Sequence, residues 1–185
     1  MTKDKIIIYT DGAANGNPGR AGWAAVILLT PSSLVTPPSL PLSGEANNFP
    51  LIRGSKGVIE IGGASPHATN NIMELTAPIE ALRYVKTMSK RHFDIQEIEI
   101  VSDSKYVILG ITEWIQNWQK NNWRNANKKP VLNRALWEEL YTLAQELNPK
   151  WTYVKGHNED KYNDRADLIA TSFAEGVPVK LKNAG

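Results

Sequence analysis

Two apolar, β-prone runs at residues 6–10 and 23–29 flank the stretch Asp-Gly-Ala-Ala-Asn-Gly-Asn-Pro-Gly, which is dense in turn residues. That arrangement predicts adjacent antiparallel strands and leaves Asp11 directly after the first of them. A carboxylate beside an apolar strand is costly to bury unless a cation or hydrogen bonds compensate it. Three more acidic residues sit in settings as distinctive: Glu74 in Asn-Asn-Ile-Met-Glu-Leu, Asp103 in Val-Ser-Asp-Ser and Asp167 in Asn-Asp-Arg-Ala-Asp. Asp11 and Asp103 are expected at strand ends, Glu74 and Asp167 in the first turns of helices. Strand ends and helix starts at one edge of a sheet can converge although they are far apart in sequence.

A third β-prone run, 58–61, follows a stretch holding Pro31, Pro37, Pro38, Pro41 and Pro50. Prolines so close together oppose helix and central strand, so 31–57 reads as an extended surface insertion. Helical spacing covers 71–88, with Thr69 or Asn70 as its cap. A bend is expected at Pro78, which has no N–H to offer the Glu74 carbonyl. A strand at 98–101, helices at about 104–117 and 133–146, a strand at 151–154 and a helix at about 163–174 complete the reading. Three strands followed by strands alternating with helices predict an α/β fold, a mixed sheet with helices on its faces. One domain is expected over 1–175, with 176–185 frayed.

A chain of 185 residues with 42% hydrophobic content can build one such core. It contains no cysteine, which excludes disulfides, thiolate zinc sites and thiol nucleophiles. No apolar stretch approaches a membrane span, and Met-Thr-Lys-Asp-Lys does not begin a signal peptide, so a cytoplasmic location is expected. The net charge is only +2, but it is unevenly spread: residues 114–137 hold five basic side chains, no acidic ones and four of the six tryptophans. Acid depletion with interleaved aromatics favours contact with a nucleic-acid backbone over a merely solvated face.

Four converging carboxylates repel each other unless cations join them. Two Mg²⁺ ions about 3.5–4 Å apart would turn the cluster into a site for in-line displacement at phosphorus. An all-carboxylate set suits Mg²⁺, with Mn²⁺ as a substitute.

In these residues the chain resembles type I ribonuclease H, the bacterial kind with a basic, tryptophan-rich handle. The resemblance runs in the family's order through Thr10-Asp11-Gly12, Gly16-Asn17-Pro18-Gly19, Thr69 to Leu75, Ser102 to Val107, Trp114 to Trp118, Lys128 to Val131 and Val154-Lys155-Gly156-His157. It implies a ribonuclease H-like fold: a five-stranded mixed sheet, its first three strands antiparallel, flanked by helices and carrying a basic helical handle over 119–132. It implies an endonuclease that hydrolyses the RNA strand of RNA/DNA hybrids and leaves 5′-phosphate and 3′-hydroxyl ends, working as a monomer. Asp11, Glu74, Asp103 and Asp167 would be the metal-binding carboxylates, Asp11 and Asp167 near the attacking water and Asp11, Glu74 and Asp103 near the leaving oxygen. Asp164 competes with Asp167, which the family's spacing from His157 favours. His157 would assist proton transfer or product release, where a lone histidine is otherwise a surface group.

For substrate, the resemblance assigns Asn70, Asn71 and the turn from Gly12 to Asn15 to the RNA strand, whose 2′-hydroxyls line the wide minor groove of a hybrid. Lys105 stands where relatives often have a neutral polar residue. Thr69, Asn17 and Asn133 resemble residues near a pocket for a DNA-strand phosphate; helix capping and turn formation are their plainer roles. Trp114 and Trp118 share a helix face and would pack on the core, or line a groove for the DNA strand beside Lys120, Arg124, Lys128 and Lys129. The long insertion, Pro78 and Leu132, which replaces a handle lysine, depart from the family. A nuclease or strand-transfer enzyme of the same broad fold acting on DNA, and a non-catalytic hybrid-binding module, are the alternatives. The Asn-Asn pair and the handle disfavour the first, and four acids facing a polyanion disfavour the second.

Overall fold

Strand β1 (Lys5–Gly16) turns Ile6, Ile8, Thr10 and Gly12 to one face of the sheet and Ile7, Tyr9 and Asp11 to the other, as the two-residue period of a strand requires. It pairs antiparallel with β2 (Gly19–Thr30), which pairs antiparallel with β3 (Gly57–Ala68). On its other side β1 runs parallel to β4 (Glu97–Ser102), which runs parallel to β5 (Lys150–Tyr153). The order is β3-β2-β1-β4-β5, the expected five-stranded mixed sheet. This computed structural model describes residues 5–30, 57–89, 97–156 and 160–182, so nearly all of the expected insertion lies outside them.

Helices α1 (Asn70–Ser89) and α4 (Arg134–Leu147) cover one face, where Ile6, Ile8, Ile27 and Ile100 meet Leu75, Leu82, Trp137 and Leu140. Burying each such side chain contributes about 1.5–3 kcal/mol. Helix α5 (Lys161–Glu175) covers the other face through Ala166, Ile169 and Ala170 against Ala24 and Val26. Pro78 does not interrupt α1, which continues as α-helix to Ser89, so the expected bend does not become a break. Proline's fixed φ suits a helix; what is lost there is the hydrogen bond to the Glu74 carbonyl.

Between β4 and α4 the chain forms α2 (Lys105–Leu109), a π-helical turn (Gly110–Trp114) and α3 (Ile115–Lys120). The π turn stands beside Trp137, whose buried ring takes the space that a Cβ on Gly110 would occupy. The handle is not helical beyond Lys120, contrary to expectation. It is a set of turns closed by a single bridge between Arg124 and Pro130, with left-handed backbone at Asn122, Trp123 and Lys128. Asparagines suit that geometry, and Asn125 Oδ1 accepts from the Asn127 and Lys129 N–H groups.

Three more boundaries differ from expectation. The turn-dense segment after Asp11 continues β1 to Gly16, and β3 extends to Ala68 despite Gly62, Gly63 and Pro66. At Gly62 and Gly63 a Cβ would collide with Phe173 and Trp23, so these glycines admit neighbouring aromatics, and an edge strand tolerates Pro66. The tail, expected to fray over 176–185, lies against the domain as far as Lys182. Val179 and Leu181 pack on the α5 cluster, and Glu60 N–H donates to the Lys182 carbonyl at 2.8 Å.

Glu60 is 1% exposed and accepts from Arg165 Nε and Nη2 and from Lys182 N–H, each at 2.8 Å. Burial pushes its carboxyl upward, but these hydrogen bonds and the Arg165 charge outweigh it and hold the pKa below the ordinary 4.5. A depressed folded pKa gives stability that is full above the unfolded value and lost as pH falls through the folded one. Glu60→Gln is expected to cost about 3 kcal/mol in denaturant unfolding at pH 7. The difference from the parent should shrink markedly at pH 3.

Candidate active site

Asp11 stands just past the last β1–β4 pair, Tyr9 with Val101, where the parallel ladder ends and β1 continues with β2 alone. It is therefore mid-strand rather than at a strand end, yet it opens onto the gap beside β4. Asp103 directly follows β4 there, as expected. Gly12, on the opposite face of β1, touches the backbone of Met73 and Glu74 so closely that a Cβ would overlap it. Glu74 is thereby brought beside Asp11, from the second turn of α1 rather than the first, because Thr69 starts the helix earlier: its Oγ1 accepts from Ile72 N–H at 3.3 Å. Asp167 likewise lies beyond the first turn of α5, whose cap is Asp160, accepting from Tyr162 and Asn163 N–H.

These four carboxylates line one open cleft of about 290 Å³ with Gly12, Ala13, Ala14, Asn70, Asn163 and Asp164. Their hydrogen bonds set their aim. Gly12 N–H donates to Asp11 Oδ1 at 2.7 Å, Asn70 Nδ2 to Glu74 Oε1 at 2.8 Å and Ser104 Oγ to Glu74 Oε2 at 2.7 Å. Asn163 Nδ2 donates to Asp103 Oδ2 at 3.2 Å, and Thr171 Oγ1 to Asp167 Oδ1 at 3.4 Å. Ser104 and Asn163 were not singled out by sequence reasoning. Ser104 could have been noticed as the cap that follows Asp103, and its hydroxyl also accepts from Val107 N–H.

Burial and then repulsion from Asp103 push the Asp11 carboxyl up to about 8; its Gly12 hydrogen bond opposes this, and Asp167 and Glu74 add to it. Burial also raises Glu74, against its bonds from Ser104 and Asn70. Asp164 is exposed and absent from the charges acting on Asp11, which favours Asp167 as the acid of this group.

The donors suit a divalent cation. All are oxygens, burial and the uncompensated charge of Asp103 hold the Asp11 carboxyl up at about 8, and Asn163 Oδ1 is buried without a protein partner among the described residues. Among those residues, however, no three acidic or histidine side chains are assembled to hold one ion. Both Glu74 oxygens are engaged by Asn70 and Ser104, and Asp103 by Asn163.

Of the expected substrate residues, Asn15, Asn17, Asn71 and Lys105 are exposed, as are Lys120, Arg124, Lys128 and Lys129 on the handle. Asn17 Oδ1 reaches Asn70 N–H at 3.4 Å, and Lys105 Nζ lies 5.8 Å from the Tyr153 ring centre. Asn133 does not cap α4 with its side chain, which donates to Tyr106 Oη instead. Trp118 packs on the core and against Trp137 and Trp123, whereas Trp114 meets Trp118 from a half-buried position. His157 lies outside the described residues, but a Cβ on Gly156 would lie 2.8 Å from Asp103 Oδ2, so its chain neighbour borders the cleft. Among the described residues no helix is long and apolar enough to cross a membrane.

A carboxyl raised from 3.8 to about 8 by folding subtracts stability progressively as pH climbs through that interval. Asp11→Asn should therefore stabilise the metal-free protein at pH 8 by at least about 1.4 kcal/mol, the equivalent of one pKa unit. Melting with chelator present from pH 4 to 8 would check this, and the variant should show the flatter profile.

The RNase H family profile matches residues 3–175. A ribonuclease H of Thermosynechococcus vestitus is 41% identical over 175 residues, 95% of this chain and 92% of that protein. One from Wolbachia pipientis wMel is 41% identical over 170 residues, 92% and 95% of the two chains. Among solved structures, LC9-RNase H1, a type 1 RNase H with the type 2 active-site motif, superposes with a TM-score of 0.71 at 22% identity, covering 100% of this chain and 80% of that one. LC11-RNase H1, solved in complex with RNA/DNA hybrid, does so with a TM-score of 0.57 at 25% identity, covering 92% and 97%. With its profile, its curated relatives and its fold in agreement, the chain belongs to the ribonuclease H family.

Proposed function

We infer that this chain is an endonuclease that hydrolyses the RNA strand of RNA/DNA hybrids and leaves 5′-phosphate and 3′-hydroxyl ends. The observation that carries the reading is the meeting of Asp11, Glu74, Asp103 and Asp167 in one cleft of a ribonuclease H family chain. The hybrid bound to LC11-RNase H1 supports the substrate class.

In this reading Asp11 and Asp167 would hold one cation, and Asp11, Glu74 and Asp103 the other. Bound Mg²⁺, or Mn²⁺ in its place, supplies charge that activates water and stabilises the leaving 3′ oxygen. The chain supplies the rest. Asn70 and Ser104 fix the Glu74 carboxylate, Asn163 fixes Asp103, and the Gly12 N–H fixes Asp11. These bonds aim the acids into the cleft, and a bound cation would draw them closer together. Asn71 and the backbone from Gly12 to Asn15 face the RNA strand, with Asn70 contributing once substrate competes for its amide. Lys105 extends that surface. Asn17, Thr69 and Asn133 take a DNA-strand phosphate, and His157 moves a proton or helps release product. Trp114, exposed on one side, offers a surface to the DNA strand, while Trp118 supports it from the core. Residues 1–175 form one catalytic domain, acting as a monomer in the cytoplasm.

The test is cleavage of one labelled RNA strand presented single-stranded, in an RNA duplex and paired with DNA, with Mg²⁺ and with chelator. Metal-dependent cutting of the hybrid alone, lost in Asp11→Asn, is the expected result. Cutting of duplex DNA would instead support a DNA nuclease of the same fold, and hybrid binding without turnover a non-catalytic module. Binding should weaken as salt rises, and Lys128→Ala with Lys129→Ala should reduce the slope of log affinity against log salt by about one per lysine. An unchanged slope would remove the handle from the substrate interface.

A further inference from the structure

The buried ion pair between β3 and α5 has no part in the reaction proposed above, yet it holds the helix that presents Asp167. Arg165 Nε and Nη2 donate to the two oxygens of Glu60, a two-point contact that fixes orientation as well as distance. Arg165 Nη2 also donates to the Lys180 carbonyl at 3.0 Å, and Lys182 N–H completes the Glu60 carboxylate. The segment 177–182 therefore runs as a strap from Ser172 of α5 to Glu60 of β3 and closes over the pair. Beneath it, the start of α5 is otherwise held by Asn163 on Asp103 and by the Tyr162 ring against Tyr9. Ala166 is its buried apolar contact there, and the larger groups, Ile169 and Phe173, lie further along the helix. An alanine contact resists sliding but resists rotation about the helix axis weakly. Residues two apart point to opposite sides of a helix, so Arg165 grips one side of α5 while Asp167 faces the cleft from the other.

We propose that Glu60, Arg165 and the strap 177–182 are positioning elements for the hydrolysis, setting the rotation of α5 so that Asp167 meets the other three carboxylates. The proposal rests on the ribonuclease H reading and extends it to residues that touch neither metal nor substrate. Losing the pair lets the first turns of α5 rotate. Cation affinity and turnover then fall, while hybrid binding, carried by other surfaces, does not.

The test compares the wild type with Glu60→Gln, Arg165→Lys and a chain ending at Gly176. Leu143→Ala serves as the control, a buried α4 residue remote from the cleft, used where its loss of thermal stability matches that of the variants. All are assayed at a temperature where circular dichroism shows them folded. Arg165→Lys keeps the charge but cannot span both Glu60 oxygens. In Glu60→Gln and the truncated chain, kcat on hybrid and Mn²⁺ affinity by isothermal titration should each fall about 10-fold, with Arg165→Lys between them and the wild type. KM for hybrid should stay within about twofold. Variants that lose stability but keep kcat and Mn²⁺ affinity, or a control that loses as much of both, would overturn the positioning role. A wild type that does not cut hybrid would fail the ribonuclease reading instead, and unchanged Mn²⁺ affinity in the variants would then still overturn this one.

Discussion

Everything at the site is referred to the contact between β1 and α1 at Gly12. The helix backbone at Met73 and Glu74 lies against the strand with no room for a side chain between them, so the strand and the helix meet at one depth. Because side chains alternate along β1, a residue with nothing to place toward α1 is followed and preceded by residues that face the other way. Asp11 is one of these, and the close approach brings Glu74 to its edge. Asp103 then needs only the parallel β1–β4 pairing, and Asp167 only the packing of α5 across the opposite face. Backbone pairing and one close approach thus do most of the work of convergence.

The cluster so assembled is unfavourable for folding alone. Asp11 is partly buried among like charges, and its carboxyl rises to about 8. The surrounding hydrogen bonds reduce that cost without removing it, because they are spread over the acids: Gly12 N–H for Asp11, Ser104 and Asn70 for Glu74, Asn163 for Asp103. Ser104 serves two ends at once, capping α2 and holding Glu74, so the start of that helix and the aim of the carboxylate are one arrangement. Strain kept in place by surrounding structure is what a site that reacts with cations and a polyanion requires.

Much of this was legible in the amino-acid order. The five strands and the long helices followed from apolar runs and helical spacing, because those periods express burial directly. The four acids were legible because each sits in a short string that the family shares. What escaped depended on partners far away in sequence. Gly62 and Gly63 read as strand breakers until Phe173 and Trp23 are seen to need their space. The π turn at Gly110 follows from the ring of Trp137, and no local spacing announces it. Asn163 reads as an ordinary residue of a helix start; its amide becomes meaningful only once Asp103 is beside it. The alternation of Val177, Val179 and Leu181 in the tail is too short to stand out, and its contacts depend on α5 and on Glu60, 122 positions before Lys182.

The strap has one more consequence, for what the molecule avoids. Among the described residues β3 is an outermost strand of the order β3-β2-β1-β4-β5, and the far side of such a strand offers unpaired backbone groups to another extended chain. Lys182 takes up the outward N–H of Glu60, with the side chains of Lys180 and Lys182 in the solvent beside it. A second molecule that tried to add a strand there would have to displace a segment already bonded and would meet positive charge. The last described residues of the chain are thus also a guard against self-association through the sheet.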